Sequence, residues 1–210
     1  MDVRPILLSF QTAIIAILFT FILGTGVAYI VFRLKNRKLK ILLNSLFTLP
    51  LVLPPTVFGF FLLTIFGVQQ PVGQFLLDFF AIQVVFSWPA TVIAAVAVSF
   101  PLMYRSALTA FEQMDSELLA VAQTLGFSES RYFRKIALPL SMNGLLAGGV
   151  LAFARGLGEF GATTMLAGNI ASKTRTLPLA NQYVVIMLLL CLIILFFTEF
   201  FSQRAWRRSE

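Results

Sequence analysis

The polar residues best suited to chemistry lie in a glycine-rich stretch over residues 154–180. Arg155 and Glu159 stand four residues apart, so a helix that continued this far would bring the two charges together. A pair of this kind at the edge of an apolar segment indicates either structural neutralisation or part of a transport path. The polar residues that follow are neutral or basic: Thr163, Thr164, Asn169, Lys173, Thr174 and Arg175. Their net-positive surface suits an anionic solute or an acidic patch on a partner.

The residue types needed for enzyme chemistry are scarce. The chain has no His, which removes the commonest zinc ligand and the usual general base. It has no GxxxxGK[ST] phosphate loop and no Gly-Lys pair, so it cannot hydrolyse ATP through that motif. The single Cys191 lies in an apolar run, where packing is its expected role. We therefore predict no enzyme, no catalytic residue, and no metal or cofactor held by this chain.

The elements that position these residues are apolar helices. Of 210 residues 59% are hydrophobic and 12% charged, and the mean hydropathy of +0.90 is typical of a polytopic membrane protein. We predict an all-α single domain over 1–210, because the polar segments are too short to bury a core of their own. Its first apolar run is too long for a secretory signal and is predicted to be a retained span. About five stretches are long enough to cross a bilayer: 6–32, 41–66, 84–108, 139–157 and 180–201.

The distribution of Lys and Arg predicts the orientation. Five of them crowd the loop between the first two spans: Arg33, Lys35, Arg37, Lys38 and Lys40. A patch for DNA or lipid is one interpretation, but we favour a topology signal. Five spans place this loop on the same side as residues 109–138 and the C-terminal tail, with twelve Lys/Arg inside against three outside. We predict an outer N-terminus, a cytoplasmic C-terminus and no nucleic-acid partner.

Residues 115–139, here called the elbow, form the longest polar break in the chain. Asp115 or Ser116 can cap a first short helix, with Glu117 in its first turn. Gly126 sits where a left-handed residue would end that helix. One face of the helix is expected to carry Leu118, Ala122 and Leu125.

A second short helix is expected to complete the elbow. Ser128 can cap this helix, and Pro139 fits the first turn of the helix that follows. Its positive charges are Arg131, Arg134 and Lys135. Residue chemistry therefore predicts an amphipathic elbow exposed on one side of the membrane.

Glycine and proline mark two of the spans. Pro50, Pro54 and Pro55 remove backbone donors from the second span and must kink or unwind it. Residues 67–83 are predicted to be a short outer connection. In the fourth span Gly144 and Gly148 form a GxxxG pair, which allows close helix packing.

The elbow resembles the coupling loop of permease subunits of binding-protein-dependent ABC importers. The matching positions are Glu117, Ala120, Ala122, Gly126, Ile136, Ala137, Leu138 and Pro139. In that family the first short helix docks in a groove of a cytoplasmic ATPase. The family's Glu-Ala-Ala opening reads Glu117-Leu118-Leu119-Ala120 here, while Gly126 keeps its spacing from Glu117.

Residues 154–180 resemble the signature of molybdate/tungstate permeases, of which sulfate permeases have a looser version. The matching segments are Ala-Arg-x-x-Gly-Glu-Phe-Gly-Ala-Thr, Ala-Gly-Asn-Ile and Lys-Thr-x-Thr-Leu-Pro-Leu. The proline-rich stretch 49–56 is similar to the second span of the same proteins. Unlike the family, this chain runs almost directly from Leu179 into its last span. Two interpretations stay open: a naturally shortened permease that still transports, and a deletion that abolishes transport.

The resemblance implies a permease subunit that translocates an oxyanion, molybdate most of all or tungstate, with sulfate or thiosulfate as the alternative. It implies a homodimer, two cytoplasmic ABC ATPase subunits that bind ATP and Mg²⁺, and an extracytoplasmic oxyanion-binding protein. The setting would be a bacterial or archaeal inner membrane. The candidate path or outer gate comprises Arg155, Glu159, Thr163, Thr164, Asn169, Lys173 and Arg175. A channel or secondary transporter would need acids or His within its spans, and almost none are present.

Overall fold

The computed structural model describes residues 4–80, 83–115 and 117–168, together with residues 174, 189 and 193. The elements formed by these residues are helices, with no strand among them. The elements in chain order are α1 Arg4–Arg33, α2 Arg37–Val52, α3 Pro55–Phe66, α4 Pro71–Phe80, α5 Trp88–Glu112, α6 Glu117–Thr124, α7 Glu129–Tyr132, a π-helical turn Phe133–Ala137, α8 Leu138–Leu140, α9 Met142–Leu157 and α10 Gly161–Ala167.

Helices α1 and α5 pack side by side and run in the same direction. The hydroxyl oxygens of Thr12 and Thr91 lie 3.2 Å apart, as do those of Thr20 and Ser99, and both pairs are separated by 79 residues. Residue numbers rise together along both helices, so the helices are parallel. Small residues recur at every fourth position of α1, which allows close approach: Thr12, Ala16, Thr20, Gly24 and Ala28.

The second predicted span is broken in two. Among the described residues α1 and α5 are long and apolar enough to cross a membrane, and up to four crossings result if each of two bent helix pairs is one span. Because α1 and α5 are parallel, the chain between them must return across the membrane once. That segment holds α2 and α3, which meet at a 116° bend. The bend lies at Leu53–Pro54, as the predicted proline kink requires.

Several helix boundaries differ from the sequence prediction. The second span begins at Arg37 and not at 41, because Asn36 caps α2 by accepting hydrogen bonds from two backbone N–H groups. The predicted connection 67–83 contains the helix α4, and α5 extends to Glu112, inside the predicted loop 109–138. The fifth predicted span, 180–201, lies outside the described residues.

Helix α9 packs against α5 in the opposite direction. A Cβ atom added at Gly144 would lie 2.6 Å from the Cβ of Ala110, and one at Gly148 would lie 2.5 Å from the Cβ of Ser106. Residue numbers rise on one helix and fall on the other, so the pair is antiparallel. The predicted role of the GxxxG pair in packing is confirmed.

Pro139 belongs to the elbow and not to the first turn of α9. The helical segment Glu129–Leu140 bends by 73° into Met142–Leu157, with the break at Ser141. The π-helical turn Phe133–Ala137 comes immediately before α8, which contains Pro139. A wider turn relieves the clash between a proline ring and the carbonyl four residues earlier, so the helix continues past Pro139 before it bends.

Two apolar clusters hold these helices together. One joins α1, α5, α9 and the elbow around fully buried residues such as Met103, Phe111 and Leu145. The other joins α3, the first half of α5 and α10 around Phe58, Val98 and Leu166, among others. One cluster therefore packs around the end of α5 near the elbow, and the other packs around the end near the candidate gate.

Candidate functional site

The first helix of the elbow, α6, ends in a defined backbone turn. Asp115 Oδ1 accepts a hydrogen bond from the N–H of Glu117 at 2.9 Å, which caps its start. At its end Gly126 has φ +76°, and the N–H of Phe127 donates to the Ala122 carbonyl at 3.0 Å. The Gly126 N–H donates to Gln123. These bonds form a Schellman motif, so the predicted helix stop at Gly126 is confirmed.

Helix α6 buries Leu118 and Ala122 of the predicted face but not Leu125. Ala122 is 2% exposed, and Leu118 and Leu119 pack partly buried against the inner cluster. Leu125 is 71% exposed, although its N–H still donates to the Val121 carbonyl at 3.1 Å, as in a continuing helix. With Val121, which is 53% exposed, it forms an apolar patch on the free side of the elbow. Exposed apolar residues on an otherwise polar segment are available for contact with a partner.

The other predicted elbow residues divide between the two sides. Glu117 and Ala120 are exposed on α6, beside the apolar patch. Ile136 and Leu138 pack partly buried against the inner cluster, whereas Pro139 is exposed. Ser128 caps the second helix, since its Oγ accepts a hydrogen bond from the Arg131 N–H at 3.4 Å. The elbow is therefore anchored through α8 and the π-helical turn and free along one side of α6.

Arg155 and Glu159 form an ion pair at the other end of α9. Arg155 Nη1 lies 2.7 Å from Glu159 Oε2, and Glu159 Oε1 accepts from the Ala162 N–H at 2.6 Å. The Glu159 side chain is 1% exposed and that of Arg155 is 31% exposed. The pair forms although α9 ends at Leu157, so helix continuation is not what brings the charges together. Glu159 instead caps α10 and draws the guanidinium towards it.

Helix α10 rests on the break between α2 and α3. A Cβ added at Gly161 would lie 2.8 Å from Pro55 Cβ, and one added at Gly59 would lie 2.7 Å from the Cα of Ala162. The proline-rich segment and the Glu-Phe-Gly-Ala-Thr stretch are therefore one packed unit. Sequence reasoning missed Gly59, and its glycine identity inside an apolar span was the one available signal.

The remaining predicted gate residues are only partly placed. Thr163 is buried within α10, and the Thr164 hydroxyl donates to the Gly161 carbonyl at 2.9 Å. Asn169, Lys173 and Arg175 lie outside the described residues, as does the departure after Leu179. Of the placed residues, Arg155 combines charge with partial exposure and is the one suited to contact an anion.

These features define a class of membrane protein: a bundle of apolar helices with an exposed elbow that a soluble partner can cover. The sequence profile of the family described as "Binding-protein-dependent transport system inner membrane component" matches residues 16–207, so the chain belongs to this family. It is a multi-pass permease subunit of an ABC importer and not an enzyme.

Two relatives and one solved structure are similar to this chain over most of its length. The chain is 43% identical over 180 residues to the molybdenum transport system permease protein ModB of Haemophilus influenzae, covering 86% of this chain and 78% of that protein. It is 44% identical over 177 residues to ModB of Escherichia coli K12, covering 84% and 77%. Its fold is similar to a chain of the MetNI methionine ABC transporter in an inward-facing conformation, with TM-score 0.67, 15% identity, and 99% and 95% of the two chains covered.

Proposed function

We propose that this chain forms the translocation path of an ABC importer for molybdate or tungstate. The relatives named as molybdenum permeases are 43–44% identical over more than four fifths of the chain. The residues that resemble the molybdate/tungstate signature include Arg155 and Glu159, which are paired in the structure. This agreement between family, signature and geometry supports the oxyanion assignment over a general solute.

One observation carries the proposed mode of action: Val121 and Leu125 are exposed beside a fixed Schellman turn. A rigid elbow with an uncovered apolar patch is suited to dock in a groove of a soluble ATPase. The ATPase would bind ATP and Mg²⁺, and this chain would bind neither. ATP state can drive reorientation because the docked elbow interacts differently with the two conformations.

The proposed assembly is a homodimer of this chain with two ATPase subunits and an extracytoplasmic oxyanion-binding protein. Its N-terminus would be outside and its C-terminus cytoplasmic. The contact between Arg33 and Glu129 supports this orientation, because it brings the basic loop and the basic elbow to the same end of the bundle. Since α9 runs away from the elbow, Arg155 would lie at the outer end.

At that end we assign the oxyanion contact to Arg155. The buried Glu159 carboxylate pairs with one side of the Arg155 guanidinium. Among the described residues no other acceptor contacts this guanidinium, which leaves its other N–H groups for an anion. The remaining polar residues of the gate would be Thr163, Thr164, Asn169, Lys173 and Arg175. A path of this kind needs only a mildly positive lining, because selectivity would reside chiefly in the binding protein.

The assignment is tested in proteoliposomes that contain this chain and its ATPase, with binding protein loaded with molybdate, tungstate or sulfate. We expect ATP-dependent uptake of molybdate and tungstate. Uptake of sulfate but not of molybdate would instead establish a sulfate or thiosulfate permease. Uptake without ATPase would establish a secondary transporter or channel. Absence of uptake of all three oxyanions by an assembled complex would contradict the proposed transport function.

A further inference from the structure

Among the described residues, one ion pair joins the elbow to the end of α1. A guanidinium nitrogen of Arg33, the last residue of α1, contacts a carboxylate oxygen of Glu129, the first residue of α7. The two residues are 96 positions apart, so the contact is tertiary. Arg33 is mostly buried and Glu129 mostly exposed. A partly exposed pair of this kind contributes only about 0–1 kcal/mol to stability, so strengthening the fold is not its main effect.

An aromatic cluster lies behind this ion pair and joins the same elements. The ring centroids of Tyr29 on α1 and Phe133 in the π-helical turn are 4.5 Å apart, and those of Tyr29 and Phe111 on α5 are 5.5 Å apart. Phe32 packs 6.0 Å from Phe111. The cluster therefore places the elbow against the inner ends of both α1 and α5.

Tyr132, the last residue of α7, also lies near Arg33. It is 2% exposed. Burial raises the pKa of its phenol, and the nearby Arg33 guanidinium opposes that rise. Glu129 and Tyr132 are three residues apart in α7, so they lie on one face of a single helical turn.

The parallel packing of α1 and α5 extends this connection through the membrane. Hydroxyl pairs join the two helices at Thr12–Thr91 and Thr20–Ser99. Close packing at Gly24, where an added Cβ would lie 2.8 Å from Met103 Cγ, joins them nearer the elbow. A displacement of the end of α1 would therefore move α5 with it, because interdigitated helices do not slide freely.

We propose that Arg33 and Glu129 are positioning residues that fasten the ATPase-docking elbow to α1, so that elbow, α1 and α5 move as one body during transport. This inference rests on the proposed function. The ion pair fixes the position of the elbow relative to α1. The aromatic cluster carries a displacement of the elbow to the inner ends of α1 and α5. Without the pair the elbow still docks, but its motion no longer reorients the helices fully.

The test measures ATP hydrolysis and molybdate uptake in the same proteoliposomes, with ATPase and binding protein present. We expect Arg33→Gln and Glu129→Gln each to raise the ATP consumed per molybdate transported by roughly fivefold or more, the lower end of site-to-site coupling effects. The charge-reversed double variant Arg33→Glu/Glu129→Arg should restore the ratio. Lys40 and Glu112 form an ion pair of similar exposure, 2.7 Å apart, between α2 and α5. The matched control Lys40→Gln should leave the ratio unchanged.

A second measurement separates positioning from general damage. In a Cys191→Ala background, Arg33→Cys/Glu129→Cys should be uncoupled, and a short bis-maleimide should restore coupling by fastening α1 to the elbow again. Normal coupling in the single variants, or cross-linking that blocks uptake, would overturn the inference. If the unmodified chain shows no ATP-dependent molybdate uptake, the proposed function fails instead, so the two failures are distinguishable.

Discussion

The hydroxyl groups of Thr20 on α1 and Ser99 on α5 lie 3.2 Å apart inside the helix bundle. Thr12 and Thr91 repeat this contact eight residues earlier on both helices. Polar contacts between helices in lipid contribute modestly to stability but fix the register, since a slipped register would leave hydroxyls without interhelical partners. The two pairs therefore define α1 and α5 as one unit.

Replacing Thr20 by Val tests this unit. Val keeps the shape of Thr but removes the hydroxyl, while Ser99 keeps its 2.6 Å hydrogen bond to the Ala95 carbonyl. We expect a loss of about 0.6–1 kcal/mol, seen as a lower Tm of the detergent-purified protein. The control is Thr64→Val, because Thr64 is exposed and, within the described part of the chain, its hydroxyl bonds only to the Phe60 carbonyl in its own helix. Equal effects of the two substitutions would contradict an interhelical role.

Gly126→Ala should damage coupling by backbone strain and not by collision. The φ of +76° disfavours any residue with a Cβ, yet an added Cβ would meet nothing within 4 Å. The expected cost is roughly 1–2 kcal/mol, concentrated in the turn that holds the elbow. We expect more ATP hydrolysed per molybdate transported, with membrane insertion unchanged. Gly126→Asn should be milder, because Asn tolerates this conformation. If Ala and Asn behave alike, the left-handed turn is not the cause.

Gly148→Ala should destabilise the packing of α9 on α5. The new methyl group would lie 2.5 Å from Ser106 Cβ, so one helix must shift. Overpacking of this kind costs typically about 1–3 kcal/mol. Gly26→Ala is the control, because an added Cβ there meets nothing within 4 Å and Ala favours helix over Gly. Thermal unfolding of both variants in detergent should show a lower Tm for Gly148→Ala only.

Neutralising Arg155 and neutralising Glu159 should lower the stability of the protein by different amounts. Arg155→Gln leaves a carboxylate unpaired with its side chain 1% exposed, whereas Glu159→Gln keeps an oxygen for the Ala162 N–H and leaves a guanidinium that is 31% exposed. Breaking a fully buried pair from one side costs about 3–5 kcal/mol, and the loss is smaller where the remaining charge reaches solvent. We therefore expect a lower Tm for Arg155→Gln than for Glu159→Gln, with the double variant recovering part of the loss. The opposite order would contradict the burial argument.

The same double variant tests whether Arg155 takes part in transport or only neutralises Glu159. If Arg155 contacts the oxyanion, Arg155→Gln/Glu159→Gln should fold and assemble but take up molybdate slowly while ATP hydrolysis continues. Normal uptake by this variant would assign the pair a purely structural role. The measurement is uptake per assembled complex, so differences in protein yield do not enter.

Topology is tested by cysteine labelling in a Cys191→Ala background. Gln69 and Gln123 are both exposed. The proposed orientation places them on opposite sides of the membrane. A membrane-impermeant maleimide should label Gln69→Cys in intact cells and Gln123→Cys only after permeabilisation. The reverse pattern would place the elbow outside, where a cytoplasmic ATPase could not reach it.

The local chemistry of the elbow was predictable. Each effect involves residues only a few positions apart in the chain: Asp115 and Ser128 cap helices through their side chains, and Gly126 forms a left-handed backbone turn. The break at Pro54 was predictable for the same reason, because a missing N–H is a property of the residue. The outward position of Leu125 was not, because periodicity shows which residues share a face but not whether a neighbouring element covers that face.

By itself the sequence determined that the chain is a multi-pass helical protein of this permease family, with no phosphate loop of its own and with a capped polar elbow. Only the tertiary structure decided which faces meet: Thr20 with Ser99, Gly59 with Ala162, and Arg33 with Glu129. The reason is that lipid is as apolar as a protein core. A membrane helix therefore carries no strong hydrophobic stripe to mark its packing side, and its partners are chosen by close fit and a few polar contacts.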